Sequence, residues 1–489
     1  MSTTLENLDT SAAPATEPYP HRWLGVFAVL AATLMNLLDT SVVNVGGPAI
    51  RRDLGGGYAT LQWIAAGYTL ALAVGLLTGG RLGDMFGRKR MLMIGAAGFV
   101  ATSVACALAT SPEMLVSSRV AQGLFGAMMI PQGFGLIRDM FPPAEIGKAF
   151  GAFGPIIGLA SILGPIVAGL LVDADILGTG WRMIFLINVP LGGFAMMVGA
   201  KVLPSAKPGR TTRLDGIGTL IAGTAMFMLV YPLVQGRELG WPAWSLALMI
   251  GSLPVFAIFA AYQLRRKRSG ATPLVEPSVF AKRSYTSGVV FVVVFFGAVV
   301  GFGLALGMFL QLGQGYTPLH ASLTMAAFAV GAFLGTGFGA TQMARLGRII
   351  LHIGLGTMSV GLTALLGVLA WAGTGVADWA LVAPLLVYGA GMGMIFVPLF
   401  DIIMADVEDH EVGSAAGALE SLQQLGASLG IAVLGTIFFG KIGAHLPGTS
   451  AHRWDGLHAA ELTIGITLGL TMVAFAVGFL LPKKARAHQ

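Results

Sequence analysis

The chain reads as an all-helical protein that crosses a lipid bilayer fourteen times. Mean hydropathy is +0.79, 55% of the residues are hydrophobic and only 11% are charged, where a water-soluble domain carries about 25%. Apolar runs near the roughly 20 residues that span a hydrocarbon core recur along the whole sequence. Between them, Lys and Arg fall into alternate short loops, the pattern that sets membrane topology. Gly, at 70 residues, is at about twice its average frequency of ~7%, which suits helices packed backbone to backbone.

In chain order the apolar runs predict helices at 24–46, 60–80, 91–110, 113–137, 147–171 and 183–203, then 215–235 and 244–264, then 285–312, 320–342, 349–371, 379–402, 413–439 and 459–481. Residues 1–22 are polar, rich in Ser, Thr, Ala and Pro, and predict a disordered cytoplasmic tail. They lack the charged start, apolar core and cleavage site of a removable leader. Residues 23–205 then form a six-helix bundle, 206–270 a two-helix insert with linkers, 271–482 a second six-helix bundle, and 483–489 a second tail.

Orientation follows from charge. With the N-terminus inside, 22 of the 29 Lys and Arg residues fall in inner loops and tails and 6 in outer loops, while Arg119 lies within a helix. Both ends are therefore expected in the cytoplasm. Because the positive residues are spread over many loops, the net charge of +6 makes no nucleic-acid face. The single Cys106 permits no disulfide within the chain.

Asp39 and Arg119 are the residues an apolar helix is least able to hide. A charge at the bilayer centre costs roughly 2.5–3.5 kcal/mol on insertion scales, so an intramembrane acid marks a functional site by default. Asp39 lies about 24 Å along a helix beginning at Trp23, and Arg119 about 10 Å along a helix running the other way. The two depths are comparable, and a buried guanidinium needs a partner. Arg119 beside Asp39 favours the carboxylate, separation favours the acid, and a movement that changes their distance would load or release a proton. A carboxylate merely capped by Thr40 or Ser41, or a static ion pair holding helices 1 and 4, are the structural alternatives. Glu420, in helix 13 beside Ser421, Gln423 and Gln424, is a second intramembrane acid. It reads either as a further proton site or as a solvated residue of an inner vestibule.

The amides Asn36, Asn44, Gln62, Gln122, Gln132, Gln311 and Gln314, with Met128, Met392 and Phe396, are candidates to line a substrate cavity. Adaptable Met and aromatic surfaces suit ligands of varied shape. The eight His residues have no metal-ligand spacing. Gly389-Ala390-Gly391-Met392-Gly393 reads as helix packing, and no phosphate-binding GxxxxGK loop is present. No metal or nucleotide is expected.

The chain also looks duplicated. Gly80-Arg81-Leu82-Gly83-Asp84-Met85-Phe86-Gly87-Arg88, in the inner loop after helix 2, has a degraded copy in Ala340-Thr341-Gln342-Met343-Ala344-Arg345-Leu346-Gly347-Arg348 after helix 10. Two six-helix halves with a two-helix insert is a transporter architecture, with substrate between the halves near the midplane.

Four motifs together carry a family resemblance. Gly80 to Arg90 resembles the loop motif of the major facilitator superfamily, and Arg119-Val120-Ala121-Gln122-Gly123 its helix 4 motif. Gly164-Pro165-Ile166-Val167-Ala168-Gly169 is similar to the antiporter motif of helix 5, with Ala168 where a second glycine is usual. Leu38 to Pro48 is similar to the helix 1 signature of the fourteen-helix drug:proton antiporters. The resemblance covers the whole chain in helix count and order.

The resemblance implies proton-driven export of drug-like or antibiotic compounds from a bacterial cytoplasmic membrane, with a small organic substrate and protons as partners, no cofactor, and a monomer in the lipid. It implies that Arg119 takes part in proton coupling. It also implies that the Gly80, Asp84, Gly87 and Arg88 loop latches the inner gate onto the start of helix 13. The acids Asp406, Glu408, Asp409 and Glu411 precede that helix and are expected to pair with Arg88, Lys89 or Arg90 when the gate is shut. Gly164 and Pro165 would let helix 5 bend. A symporter or facilitator for a small metabolite on the same fold stays open, as does, more remotely, a membrane enzyme or receptor.

Overall fold

The computed structural model describes residues 19–142, 145, 153–205, 214–408, 411–442 and 449–483, with the side chains of 41–44, 153–162 and 177 excepted. Among the described residues there are fourteen helices of fifteen residues or more and no strand. They are α1 (Arg22–Leu54), α2 (Tyr58–Phe86), α3 (Arg88–Ala107), α4 (Pro112–Met140), α5 (Phe153–Asp173), α6 (Asn188–Val202), α7 (Gly216–Gln235) and α8 (Ala243–Arg268). Then follow α9 (Arg283–Met308), α10 (Pro318–Leu346), α11 (Ile349–Ala372), α12 (Asp378–Ile403), α13 (Val412–Ile442) and α14 (Ser450–Gly478). Thirteen helical segments there are long and apolar enough to cross a membrane, and α5 contributes the shorter apolar piece Leu163–Asp173. Both tails fall largely outside the described residues.

Local chemistry sets the helix ends. Ser111, Asp215, Thr317 and Thr449 each accept a hydrogen bond from the backbone N–H three residues on, capping α4, α7, α10 and α14. Pro112 and Pro318 open their helices where no backbone donor is needed. Gly87, at φ 93°, ends α2 and admits α3 directly. The remaining corrections to the predicted boundaries are physical. Helix α1 does not stop at 46 but runs through Pro48 to Leu54, because Gly46 and Gly47 lie against Ile184 and Met308 rather than in a turn. Helix α14 begins at Ser450, nine residues before its apolar run, since Thr449 caps a polar first turn. A short helical turn, Met183–Leu186, precedes α6, and a π-helical turn, Phe309–Gly313, closes α9.

Within residues 22–202, α2 and α3 pack on α4, and α5 and α6 pack on α1; within 283–478, α10 and α11 pack on α12, and α9 on α13 and α14. The two sets meet mainly where α2 lies along α13 and α5 along α10. Helices α7 and α8 pair with each other, and α7 rests on the outside of the α2–α13 seam. Small residues permit these approaches. A Cβ on Gly393 of α12 would come within 2.0 Å of the Ala332 carbonyl oxygen of α10. The glycine run of helix 12 is therefore a packing surface, as its composition indicates.

Candidate functional site

The buried charges of the N-terminal six helices converge on one cluster. Asp39 of α1 is 0% exposed and Arg119 of α4 is 1% exposed. They form an ion pair through Arg119 Nη1 and Asp39 Oδ2. Arg119 Nη1 also donates to Gln122 Oε1 at 2.8 Å and Nε to the Ile64 carbonyl of α2 at 3.1 Å. The guanidinium lies 4.2 Å from the centre of the Tyr68 ring, also of α2, a cation–π contact that strengthens where water is excluded. Gln122 Nε2 donates to Asp39 Oδ1 at 2.9 Å and to Ser103 Oγ of α3 at 2.7 Å. Asn188 Nδ2, at the start of α6, donates to the same two oxygens at 3.2 and 3.1 Å. Cys106 Sγ stands 3.8 Å from Gln122 Oε1.

Five helices thus contribute to one cluster, and three of them, α1, α4 and α6, meet at its carboxylate. Removing two ions from water costs several kcal/mol each, and only a close pair with its remaining donors engaged offsets that. Gln122, predicted to line the cavity, belongs to this cluster instead. The sequence reading also missed Asn188, Ser103, Tyr68 and Cys106. An asparagine in the apolar run of helix 6 was the one visible signal among them.

Three of the other predicted cavity amides, Gln62, Gln132 and Gln311, are bonded to backbone. Gln62 is fully buried and donates to the carbonyls of Ile431 (3.3 Å) and Ala432 (3.1 Å) and to Thr436 Oγ1 (3.1 Å) of α13, so it joins the two halves. Gln132 donates to the Gly79 carbonyl at 2.7 Å. Asn36 is buried beside Gly126, and Met128 packs over Gly95 of α3. Gln311 is buried in the π turn, bonded to the Gly307 carbonyl at 3.4 Å, and Gln314 follows it. Phe396 meets Phe296 edge-on at 6.1 Å, with Met392 half-buried one turn earlier. The side chain of Asn44 lies outside the described residues. The physical reason is common to Gln62, Gln132 and Gln311: inside a bundle an amide answers a nearby backbone carbonyl more readily than it waits for a ligand.

Glu420 lies on the side of α13 away from the two-helix insert. On α13, Ser421 and Ser428 bond to the carbonyls of Ala73 and Ala66 of α2, while Gly426 and Gly430 lie on Val293 and Gly297 of α9. Thr436, which bonds to Leu233 of α7, marks the side toward the insert. Glu420 and Gln424, paired one turn apart, occupy the opposite side, and Glu420 is half-buried.

In this structure the inner loop pairs within its own half. Arg88 pairs with Asp84 (3.4 Å) and with Asp139 of α4 (3.2 Å), all within its own half. Lys89 Nζ donates to the carbonyls of Ala200 and Leu203, each at 2.8 Å. The acids before α13 pair instead with Lys282, which lies 3.1 Å from Glu408 and 2.5 Å from Glu411. The reason is proximity, since the turn Pro277–Ala281 that leads into α9 packs beside the start of α13. Hydrogen bonds from Lys282 and Ser278 hold the Glu411 carboxyl down at about 2. Asp409 lies outside the described residues. Gly80 stands beside Pro131 of α4, and Arg81 reaches the carbonyls of Pro273 and Leu274 in the α8–α9 linker.

Helix α5 closes on α10 at the far end. A Cβ on Gly169 would come 2.7 Å from Leu319 Cα, and Asp173 Oδ2 accepts from Leu319 N at 3.1 Å. Gly164 is buried and Pro165 half-buried within α5.

Two packed sets of six helices, a seam of backbone contacts between them and a buried ion pair inside one set define a multi-pass membrane transporter. Solved structures share the fold. An auto-inhibited peptide transporter of the POT family matches with TM-score 0.69 at 14% identity, over 96% of this chain and 99% of that one. The xylose transporter XylE from E. coli matches with TM-score 0.58 at 14% identity, over 91% and 98%. The family model of the Major Facilitator Superfamily matches residues 29–431, and the chain belongs to that family. Among curated relatives, a probable actinorhodin transporter of Streptomyces coelicolor is 48% identical over 89% of this chain and 75% of its own. A tetracenomycin C resistance and export protein of Streptomyces glaucescens is 32% identical over 87% and 77%. A puromycin resistance protein of Streptomyces alboniger is 33% identical over 97% and 93%.

Proposed function

We propose that the chain exports antibiotic-like organic compounds across a bacterial cytoplasmic membrane in exchange for protons, with both termini in the cytoplasm and no cofactor. The names of the relatives support the cargo class, for three of them are described as transport, export or resistance proteins for individual antibiotics. The observation that carries the coupling is the double engagement of α2. On one side it holds Arg119 through the Ile64 carbonyl and the Tyr68 ring. On another it is fastened to α13 of the other half by Gln62, Ser421 and Ser428.

Rocking of one half against the other pulls on α2, and α2 holds the guanidinium that Arg119 extends from α4. Arg119 close by favours the carboxylate of Asp39 over the acid. With Arg119 drawn away, an isolated buried carboxylate is costly and takes up a proton. Alternating access and proton loading then share one movement. Glu420, on the side of α13 away from the insert, serves as a second titratable site or as a contact for cationic cargo.

The test is vectorial. In inverted membrane vesicles an exporter accumulates compounds from an antibiotic panel when the lumen is acidified, and collapsing the gradient abolishes accumulation. Net movement in the opposite direction would establish a symporter and overturn export.

A further inference from the structure

We propose that Asn188 follows the charge of Asp39, turning its side-chain amide so that it donates to the carboxylate and accepts from the acid. The inference rests on the reading that Asp39 takes up a proton. Asp39 as found is surrounded by donors: Arg119 Nη1 on Oδ2, and Gln122 Nε2 and Asn188 Nδ2 on Oδ1. That set suits a carboxylate, which only accepts. A protonated acid brings one O–H that must find an acceptor, and leaving it buried without one costs about 1–3 kcal/mol.

The neighbouring acceptors can be taken in turn. Ser103 Oγ already receives Gln122 and Asn188 and gives its own proton to the Phe99 carbonyl at 2.8 Å. Gln122 Oε1 receives Arg119 and, with Arg119 drawn away, still faces Cys106 Sγ. The Ile64 carbonyl receives Arg119 Nε and lies inside the hydrogen-bonded run of α2. Asn188 Oδ1 is buried and has no hydrogen-bond partner among the described residues. It sits on the same amide whose nitrogen lies 3.2 Å from Asp39 Oδ1. Half a turn about the terminal bond of Asn188 exchanges the two atoms, and that torsion is broad and roughly two-fold.

The charged and titratable groups that face Asp39 from its neighbours are Arg119 of α4, Tyr68 of α2 and Cys106 of α3, and α6 presents only the neutral Asn188. A neutral group able to serve both forms keeps the site satisfied through the cycle without adding a second charge. Asn188 is therefore a positioning residue for the proton step.

Infrared difference spectra of the reconstituted full chain between alkaline and acid pH test this. A carboxylic-acid band lost in Asp39→Asn belongs to Asp39. In Asn188→Leu that band is expected to persist and move to higher frequency, because the acid O–H has lost its acceptor. The unsubstituted chain gives a second readout, since it contains four asparagines. With carbon-13 in their side-chain carbonyls, one carbonyl band is expected to move to lower frequency on acidification, and not to move in Asp39→Asn. An Asp39 acid band that stays in place in Asn188→Leu, or asparagine carbonyls indifferent to pH in the parent, would overturn the role of Asn188 and leave the proton reading standing. No acid band assignable to Asp39 would overturn both.

Discussion

Asp39 and Arg119 form a pair that tolerates little change on either side. Removing one partner of a buried pair leaves an uncompensated charge and costs about 3–5 kcal/mol, whereas replacing both is often close to neutral. Arg119→Ala is thus expected to lower the unfolding temperature in detergent markedly, and Asp39→Asn with Arg119→Gln to recover much of that loss. Export should not recover in the double variant, because a neutral pair has no proton to exchange. A double variant that regained export would reduce the pair to a structural fastening. Arg119→Lys is expected to keep the fold and lose at least tenfold in export rate, since a single ammonium cannot reproduce the planar fork that reaches Ile64, Gln122 and Asp39 together. At this scale the sequence was half informative. Two charges inside apolar runs announced themselves by their cost, but Asn188, Ser103 and Tyr68 are neutral, and only packing of separate helices makes them neighbours.

Among the elements, α5 and α13 make the clearest predictions. Gly169 brings α5 against the first turn of α10, where an added methyl would meet backbone atoms. Gly169→Ala is expected to push the two helices apart and slow export about tenfold, a change of ~1.4 kcal/mol in the barrier, measured as initial rate in proteoliposomes. An unchanged rate would show that this approach is not part of the cycle. At the start of α13, Lys282 and Ser278 hold Glu411 ionised down to about 2. A depressed carboxyl stabilises above its ordinary value of about 4.3 and loses that contribution only as pH falls through the folded value. Unfolding temperature should therefore show no step from this acid between pH 5 and 8, and a decline as pH falls from there toward about 2. Lys282→Gln is expected to lower the unfolding temperature above pH 5 and to flatten the decline below it, and an unchanged profile would mean the clasp contributes nothing. The Lys282 pairing was not visible from sequence because basic loop residues all look alike until the turn before α9 is placed. The helices themselves were legible, apart from the polar first turn of α14 and the passage of α1 through Pro48.

As a whole molecule, the chain is two six-helix sets sharing a seam, with α2 the element that touches both the seam and the ion pair. Helix number and the packing role of the glycines followed from hydropathy, charge alternation and composition, because lipid imposes those constraints on every segment alike. The place of Gln62 did not follow, since an amide can satisfy a neighbouring helix as readily as a ligand. Cutting that link is informative. Gln62→Leu removes the polar link from α2 to α13 and is expected to leave cargo binding intact while reducing protons moved per molecule exported.

The most direct measurement is made on purified chain in proteoliposomes carrying an imposed pH difference, with cargo and proton fluxes recorded together for the parent and for Asp39→Asn. Opposed fluxes in the parent, and neither uphill cargo movement nor cargo-dependent proton flux in Asp39→Asn, are the predicted result. A correctly folded Asp39→Asn chain that still moved cargo uphill at the parental rate while dissipating the pH difference would contradict it.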